Sequence, residues 1–254
     1  MYTQEDVKKV QKRLLEMAKA IRDILEEHQI PYFITYGTLL GAVRHKGFIP
    51  WDDDFDFYLF DDTYKEAMEV LSTNLPQDMF LENWDTEPLY FHDWAHVKDM
   101  NSCTECELFP QDGLYSHKGI SIDLYKTKLI HEKEEEVYRL SKHESYLKRR
   151  HQVGLLDSAV FDSRIKEISS KLINARRIIE GMDSLGEEIY AFYLIYNDRL
   201  HVNEMFPLRR YRFEDTEFYG PNNADAMLSR CYGDYMKLPP LEKRHPHYSR
   251  VKFL

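Results

Sequence analysis

Four aspartates lie among aromatic residues in the run Trp51-Asp-Asp-Asp-Phe-Asp-Phe-Tyr-Leu-Phe60, which constrains the fold more than any other part of the chain. Successive side chains of an extended segment point to opposite faces. Asp52, Asp54 and Asp56 therefore share one face, and Phe55, Phe57 and Leu59 the other. The apolar face requires a core, and an acidic face beside it is costly unless a cation neutralises it. The expectation is a strand leading to a divalent-cation site with Asp54 and Asp56 as ligands and Asp52 as a further candidate. An EF-hand also puts aspartates at its first, third and fifth positions, but here Phe57 stands where that loop needs glycine and Thr63 where it needs its last glutamate. A solvated acidic loop is the plain alternative.

The flanking pattern places this strand in a mixed architecture. Val7, Val10, Leu14, Met17, Ile21 and Ile24 recur at helical spacing, predicting a first helix that ends near His28. Tyr32–Tyr36 reads as a short buried strand, Gly37 as a turn and Thr38–Arg44 as a short helix. The backbone N–H groups of such a turn, with the Thr38 hydroxyl, suit a phosphate. A helix over 62–75 and weaker strands near Phe80 and at His96–Lys98 precede a strand over Gly119–Tyr125, where Asp123 sits between Ile122 and Leu124. If that strand lies beside the acidic one, Asp123 completes the cation site. Beyond Glu132 the pattern is mainly helical: a charged helix over 132–151, one carrying Ile165, Ile168, Leu172 and Ile179, one carrying Leu185, Ile189, Phe192 and Tyr196, and one opening at Asn222 or Asn223 and closing before Gly233. We divide the chain into a catalytic core over 1–130 and a helical part over 131–254 packed on it.

Charge and composition exclude several function classes. Thirty-four Lys and Arg against 44 Asp and Glu leave a net charge of −10, the wrong sign for a surface that holds nucleic acid. The longest neutral stretch, around Gln29 to Val43, is interrupted by Pro31, Gly37 and Gly41 and falls short of the roughly 18–20 apolar residues of a membrane helix. The first residues carry no apolar signal core, and three cysteines do not make a disulfide framework. A cytoplasmic protein is expected. His92, His96, Cys103 and Cys106 could form a zinc site, though their spacing is not a standard one; ordinary histidines and reduced buried thiols are the other account. Trp51, Trp84 and Trp94 could offer ring faces to a quaternary ammonium, with Trp51 nearest the acidic run. Arg209, Arg210 and Arg212 with Lys243, Arg244, His245 and His247 form a basic cluster that is either a solvated tail or a surface for an anionic glycan.

A Gly-Thr turn, an acidic strand and a third acid on a later strand, in that order, resemble the nucleotidyltransferase superfamily. At finer grain, Thr35-Tyr-Gly-Thr-Leu-Leu-Gly-Ala-Val-Arg-His45 followed by Gly47-Phe-Ile-Pro-Trp-Asp-Asp-Asp-Phe-Asp56 resembles the LicD family, which includes the fukutin-type proteins. Phe206-Pro207, Phe213-Glu214 and Tyr232-Gly-Asp-Tyr235 are similar to its C-terminal region. The resemblance implies an α+β fold with a nucleotidyltransferase-like, polymerase-beta-type mixed sheet core and helical additions. It implies a phosphotransferase that moves a phospho-alcohol, phosphocholine foremost, from a CDP-linked donor to a sugar hydroxyl of a surface glycan or its lipid-linked precursor, releasing CMP. Teichoic acid and lipopolysaccharide are the glycan classes in view, with no nucleic acid and at most peripheral contact with the inner face of the membrane. Carried over by position, Asp54 and Asp56 are ligands of Mg²⁺ or Mn²⁺, Asp123 is a third ligand or the base, and Gly37 and Thr38 are phosphate contacts. Arg44 and Lys98 are further partners for donor phosphates, and Trp51 is a substrate contact. Phe55 stands where the family usually has Ile, and Thr38 where its turn usually has Ser. Three other readings remain: transfer of NMP to a small molecule or sugar phosphate, a glycosyltransferase using the acidic run as its Asp-x-Asp, and a nucleotide- or glycan-binding protein without turnover.

Overall fold

The first helix, α1 (Gln4–Glu27), opens on a reciprocal cap in which the Thr3 hydroxyl accepts the Asp6 N–H and the Asp6 carboxylate accepts the Thr3 N–H. It buries Val7, Val10, Leu14, Met17 and Ile21 as the periodicity requires. A computed structural model describes residues 2–106, 113–192 and 199–254. In order the remaining elements are β1 (Tyr32–Ile34), α2 (Tyr36–Arg44), β2 (Asp56–Phe60), α3 (Tyr64–Asn74), β3 (Met79–Glu82), β4 (Ala95–Asp99), β5 (Ser102–Glu105) and β6 (Ser121–His131). Then come α4 (Glu135–Gln152), α5 (Ser158–Glu180), β7 (Glu188–Phe192), β8 (Arg199–His201), α6 (Val202–Met205), β9 (Arg209–Phe213), β10 (Thr216–Gly220), α7 (Ala224–Tyr232) and β11 (Arg250–Phe253).

The result is an α+β fold around a mixed sheet in the order β1-β2-β6-β4-β3, with β7 on β6 and β8 on β7. The long strand β6 runs parallel to β2 and antiparallel to β4 and β7. Separate antiparallel pairs join β9 to β10 and β5 to β11. One apolar core runs from α1 through β1, β2, β4 and β6 to Leu200, Phe213, Phe218 and Leu228, and so crosses residue 130. The helices α4 and α5 pack on each other through Leu140, Leu147, Ile168 and Leu172. Arg149 on α4 is tied to the core by hydrogen bonds to the carbonyls of Tyr90 and Pro88. No helix among the described residues is long and apolar enough to cross a membrane.

Four sequence expectations change. The acidic run is not one strand over 51–60: β2 begins at Asp56, where Ile34↔Phe57 and Asp56↔Asp123 first supply partners on both sides. Residues 51–55 are held instead by side chains, among them Gln11, whose amide donates to the carbonyls of Ile49 and Asp52. The turn falls one residue early: Tyr36 takes the positive φ of 43° and Gly37 lies within α2. The helix expected around Leu185 and Ile189 is the strand β7, because Ile189 pairs into the sheet opposite Ile130; Tyr196 lies outside the described residues. The mainly helical reading of the second half also missed β8 and the β9–β10 hairpin.

Phe55 has a clear packing reason. Its ring meets those of Phe57, Phe213 and Phe218 at centroid distances of 5.1, 5.3 and 5.2 Å. An aromatic cluster, rather than an aliphatic side chain, thus joins the acidic segment to the β9–β10 hairpin. Next to it, the Glu214 carboxylate accepts the Phe48 N–H at 3.0 Å, so the Phe-Glu pair of the tail braces the loop that leads into the aspartates.

Candidate functional site

Parallel pairing of β2 with β6 sets Asp56 directly opposite Asp123, and partners in register project from the same face. Asp54 stands just before β2, its Oδ1 buried without a hydrogen-bond partner. Two cavities meet at this point. The first, about 690 Å³, is lined by Gly37, Arg44, Trp51, Asp52, Asp54 and Asp56 together with residues of 232–247. The second, about 580 Å³, is lined by Asp54 and Asp123 with residues of β4, β5 and β6. Asp54, Tyr125 and His247 belong to both linings.

The electrostatics are those of crowded carboxylates. Burial, followed by repulsion from Asp54, pushes the Asp52 carboxyl well above the usual range; burial followed by Asp54 and Asp123 does the same to Asp56. Asp54 is raised by burial and by its acidic neighbours, against the pull of His247. Asp123 behaves differently. Burial opposes its ionisation, but the His96 ring at 2.7 Å and the Trp94 indole N–H at 3.0 Å hold it below the usual carboxylate range. The other His96 nitrogen faces Glu82 at 3.0 Å, and Lys98 lies 3.7 Å from the same carboxylate. Against the cost of burial, Asp123 and Glu82 push His96 up to about 9, so the ring is an imidazolium between two carboxylates.

Asp53, which breaks the alternation, turns the other way. Its side chain is fully buried and accepts the backbone N–H groups of His247 and Tyr248 at 2.7 and 3.1 Å, and His247 Nδ1 lies 3.2 Å away. This fixes the His247 ring within 3.4 Å of Asp54 and 3.8 Å of Asp52. Attraction to Asp54 and the bond to Asp53 push the His247 pKa up to about 10. Tyr248 continues the strap by placing its hydroxyl against the Ser121 N–H at 3.2 Å. Among the described residues, the group whose potential ligand atoms all come within 4.8 Å of one another is Asp52, Asp53 and His247. Both Asp53 oxygens are occupied by the strap, and Asp54, Asp56 and Asp123 do not bring their ligand atoms within that distance of one another.

The remaining sequence candidates separate. The Thr38 hydroxyl accepts the Asp56 N–H at 2.9 Å and so joins α2 to the head of β2. At Gly37 a Cβ would come within 2.7 Å of Asp52 Oδ2, which is why the helix start can approach the carboxylates. Arg44 lines the first cavity and donates to the Tyr235 carbonyl at 2.6 Å, while Lys98 lines the second. Trp51 borders the first cavity with the Arg244 guanidinium 5.1 Å over its ring. His92, His96, Cys103 and Cys106 all border the second cavity but form no ligand group: His96 is held by its carboxylates, and the Cys106 thiol donates to the His247 carbonyl. The basic cluster is split as well, since Arg210 forms a double hydrogen bond with Glu26 on α1, whereas Lys243, His245 and His247 line the first cavity.

Sequence reasoning missed Asp53, Glu82, Tyr125 and Tyr248, and it placed His247 in a basic patch rather than among aspartates. Asp53 did leave a signal: an aspartate out of phase with its acidic neighbours points into the apolar side, where it needs a partner. The His247-Tyr248 segment carries no local signal of its long-range contacts.

Residues 29–87 match the family described as LicD/FKTN/FKRP, nucleotidyltransferase domain. The chain is 27% identical over 247 residues to the lipopolysaccharide cholinephosphotransferase LicD of Haemophilus influenzae, covering 91% of each chain. Over 58 residues it is 40% identical to uncharacterized proteins of Rickettsia prowazekii and Rickettsia typhi, or 23% of this chain and 22% and 19% of theirs.

Proposed function

We propose, from the match of residues 29–87 to the family described as LicD/FKTN/FKRP, nucleotidyltransferase domain, that this chain transfers phosphocholine from CDP-choline to a sugar hydroxyl of a lipopolysaccharide-type glycan and releases CMP. The observation that carries this reading is that Asp56 and Asp123 face each other on two neighbouring parallel strands, with Asp54 just before the first of them, where two cavities meet. The printed activity of the Haemophilus relative supports the phosphocholine and the glycan. The sheet is read accordingly as a nucleotidyltransferase-type core. The carboxylate set suits Mg²⁺ or Mn²⁺, which take oxygen ligands, and the unpartnered Asp54 Oδ1 is an atom a cation would satisfy. Bound by Asp54, Asp56 and Asp123, such an ion would neutralise charge developing on the phosphates.

The first cavity is the donor site in this reading. The start of α2 at Gly37 faces it, Arg44, Lys237 and Lys243 supply positive charge, and Trp51, Tyr232 and Tyr235 supply rings on which a base can stack. Trp51 is a poor seat for the choline ammonium, since Arg244 already lies over its ring. In the transfer, the sugar oxygen bonds to the choline-bearing phosphorus, and the bond from that phosphorus to the CMP oxygen breaks with its electron pair on CMP. Asp123, which His96 and Trp94 hold in place and ionised, orients the attacking hydroxyl, whose proton leaves to solvent through the second cavity. With Mg²⁺ present, CDP-choline at 100 times its dissociation constant raises stability by about 2.7 kcal/mol, a thermal shift of roughly 5–10 °C for a chain this long. No shift with CDP-choline, CDP-ribitol or CDP-glycerol refutes the reading; a shift with CTP accompanied by pyrophosphate release would mark NMP transfer instead.

Gly37→Ala separates donor binding from folding. The added methyl forces aside only the tip of the Asp52 side chain, so the melting temperature stays near that of the parent while affinity for CDP-choline falls about tenfold, or 1.4 kcal/mol. Calorimetric titration of the folded variant checks both.

A further inference from the structure

With the donor read into the first cavity, the second is left without an occupant, although it reaches the same carboxylates. Its floor is one face of the central sheet: Trp94, His96 and Lys98 alternate along β4 and its approach, and Ser121, Asp123 and Tyr125 alternate along β6. Opposite them stand β5, with Cys103 and Thr104, and the strap residues His247 and Tyr248. Asp54, Tyr125 and His247 form the wall shared with the first cavity.

In-line displacement at phosphorus puts the entering and leaving oxygens on opposite sides of the transferred group. If CMP departs into the first cavity, the nucleophile must enter from across that wall. We infer that the second cavity is the acceptor site, seating the terminal saccharide of the glycan with its reacting hydroxyl at Asp123. This rests on the reading of the chain as a phospho-alcohol transferase. The chemistry of the lining fits a sugar. Trp94 and Tyr125, with ring centroids 5.3 Å apart, present aromatic surface to a pyranose face. Ser121 and Lys98 add hydrogen-bonding groups, and about 580 Å³ lies within the roughly 300–1,000 Å³ of a small-ligand pocket. It also explains why Lys98 lies apart from Arg44: the two serve different substrates.

The test fills the cavity at a position away from the carboxylates. Thr104→Trp occupies it from the β5 side, and alkylation of Cys103 by N-ethylmaleimide in a folded Cys106→Ser/Cys231→Ser chain, where the serine hydroxyl can still donate to the His247 carbonyl, does so without a bulky substitution. Binding of methyl galactoside and methyl glucoside is read by saturation-transfer NMR with the donor site saturated by CDP-choline and Mg²⁺, and CDP-choline affinity is read by calorimetry. Saccharide signals on the parent chain are expected to fall about tenfold in both altered proteins, with CDP-choline affinity unchanged within about twofold. Three outcomes overturn the assignment: saccharide binding that survives both alterations, a parent chain that binds CDP-choline but neither saccharide, and loss of CDP-choline affinity in place of saccharide affinity. A parent chain that binds no CDP-alcohol at all would instead refute the transferase reading itself.

Discussion

Asp54→Asn, Asp56→Asn and Asp123→Asn each lower CMP release from CDP-choline by at least about 100-fold, the usual cost of removing one preorganised electrostatic group. Asparagine keeps the shape and removes the charge, so the loss belongs to catalysis rather than packing. The fold should tolerate the change. Burial and mutual repulsion already disfavour ionisation of Asp54 and Asp56, and a neutral amide relieves that repulsion. Stability at neutral pH therefore holds or rises for Asp54→Asn and Asp56→Asn while turnover collapses. Asp123→Asn is the exception, because it takes a charge from the His96 imidazolium and should lower stability as well as rate. Turnover paired with melting temperature tests this, and near-parental turnover in all three variants would contradict it.

Asp53→Ala has the second-largest effect, on both stability and function. Removing this carboxylate strands the N–H groups of His247 and Tyr248 and frees the His247 ring. Hydrogen bonds to a charged acceptor are each worth about 1.5–3 kcal/mol, so for the two we expect a loss of about 3–6 kcal/mol and a fall in melting temperature of roughly 6–24 °C. Because the strap lines both cavities, transfer also falls by at least about tenfold, a larger loss than at surface positions. A variant with parental melting temperature and turnover would show that the strap is not anchored by Asp53.

The amino-acid sequence announces some of this and conceals the rest for physical reasons. Apolar periodicity identifies α1, and the cap signals at Asn222 or Asn223 and Gly233 identify α7, whose cap is Asn223, because both depend on residues a few positions apart. The adjacency of the acidic and Asp123 strands also follows the order of motifs, and their register places Asp56 opposite Asp123. Residues 51–55 look like strand because their alternation is right, yet they pair into no strand, and β6 reaches only the Phe55 carbonyl, which accepts the Asp123 N–H at 3.1 Å. Strand β7 looks like helix because the spacing of Leu185, Ile189 and Phe192 suits either structure until a partner strand decides it. Least visible are the contacts between distant segments: His247 among the aspartates, and Glu82 behind His96. No pattern in either segment announces its partner.

The central claim is that Asp54, Asp56 and Asp123 act together as a divalent-cation centre, and Mn²⁺ binding followed by electron paramagnetic resonance tests it without any substrate. The account predicts saturable binding by the parent chain, weakened at least about tenfold, or 1.4 kcal/mol, in each of the three asparagine variants and unchanged in Cys103→Ser. Equal Mn²⁺ affinity in the parent and in all three asparagine variants would contradict it.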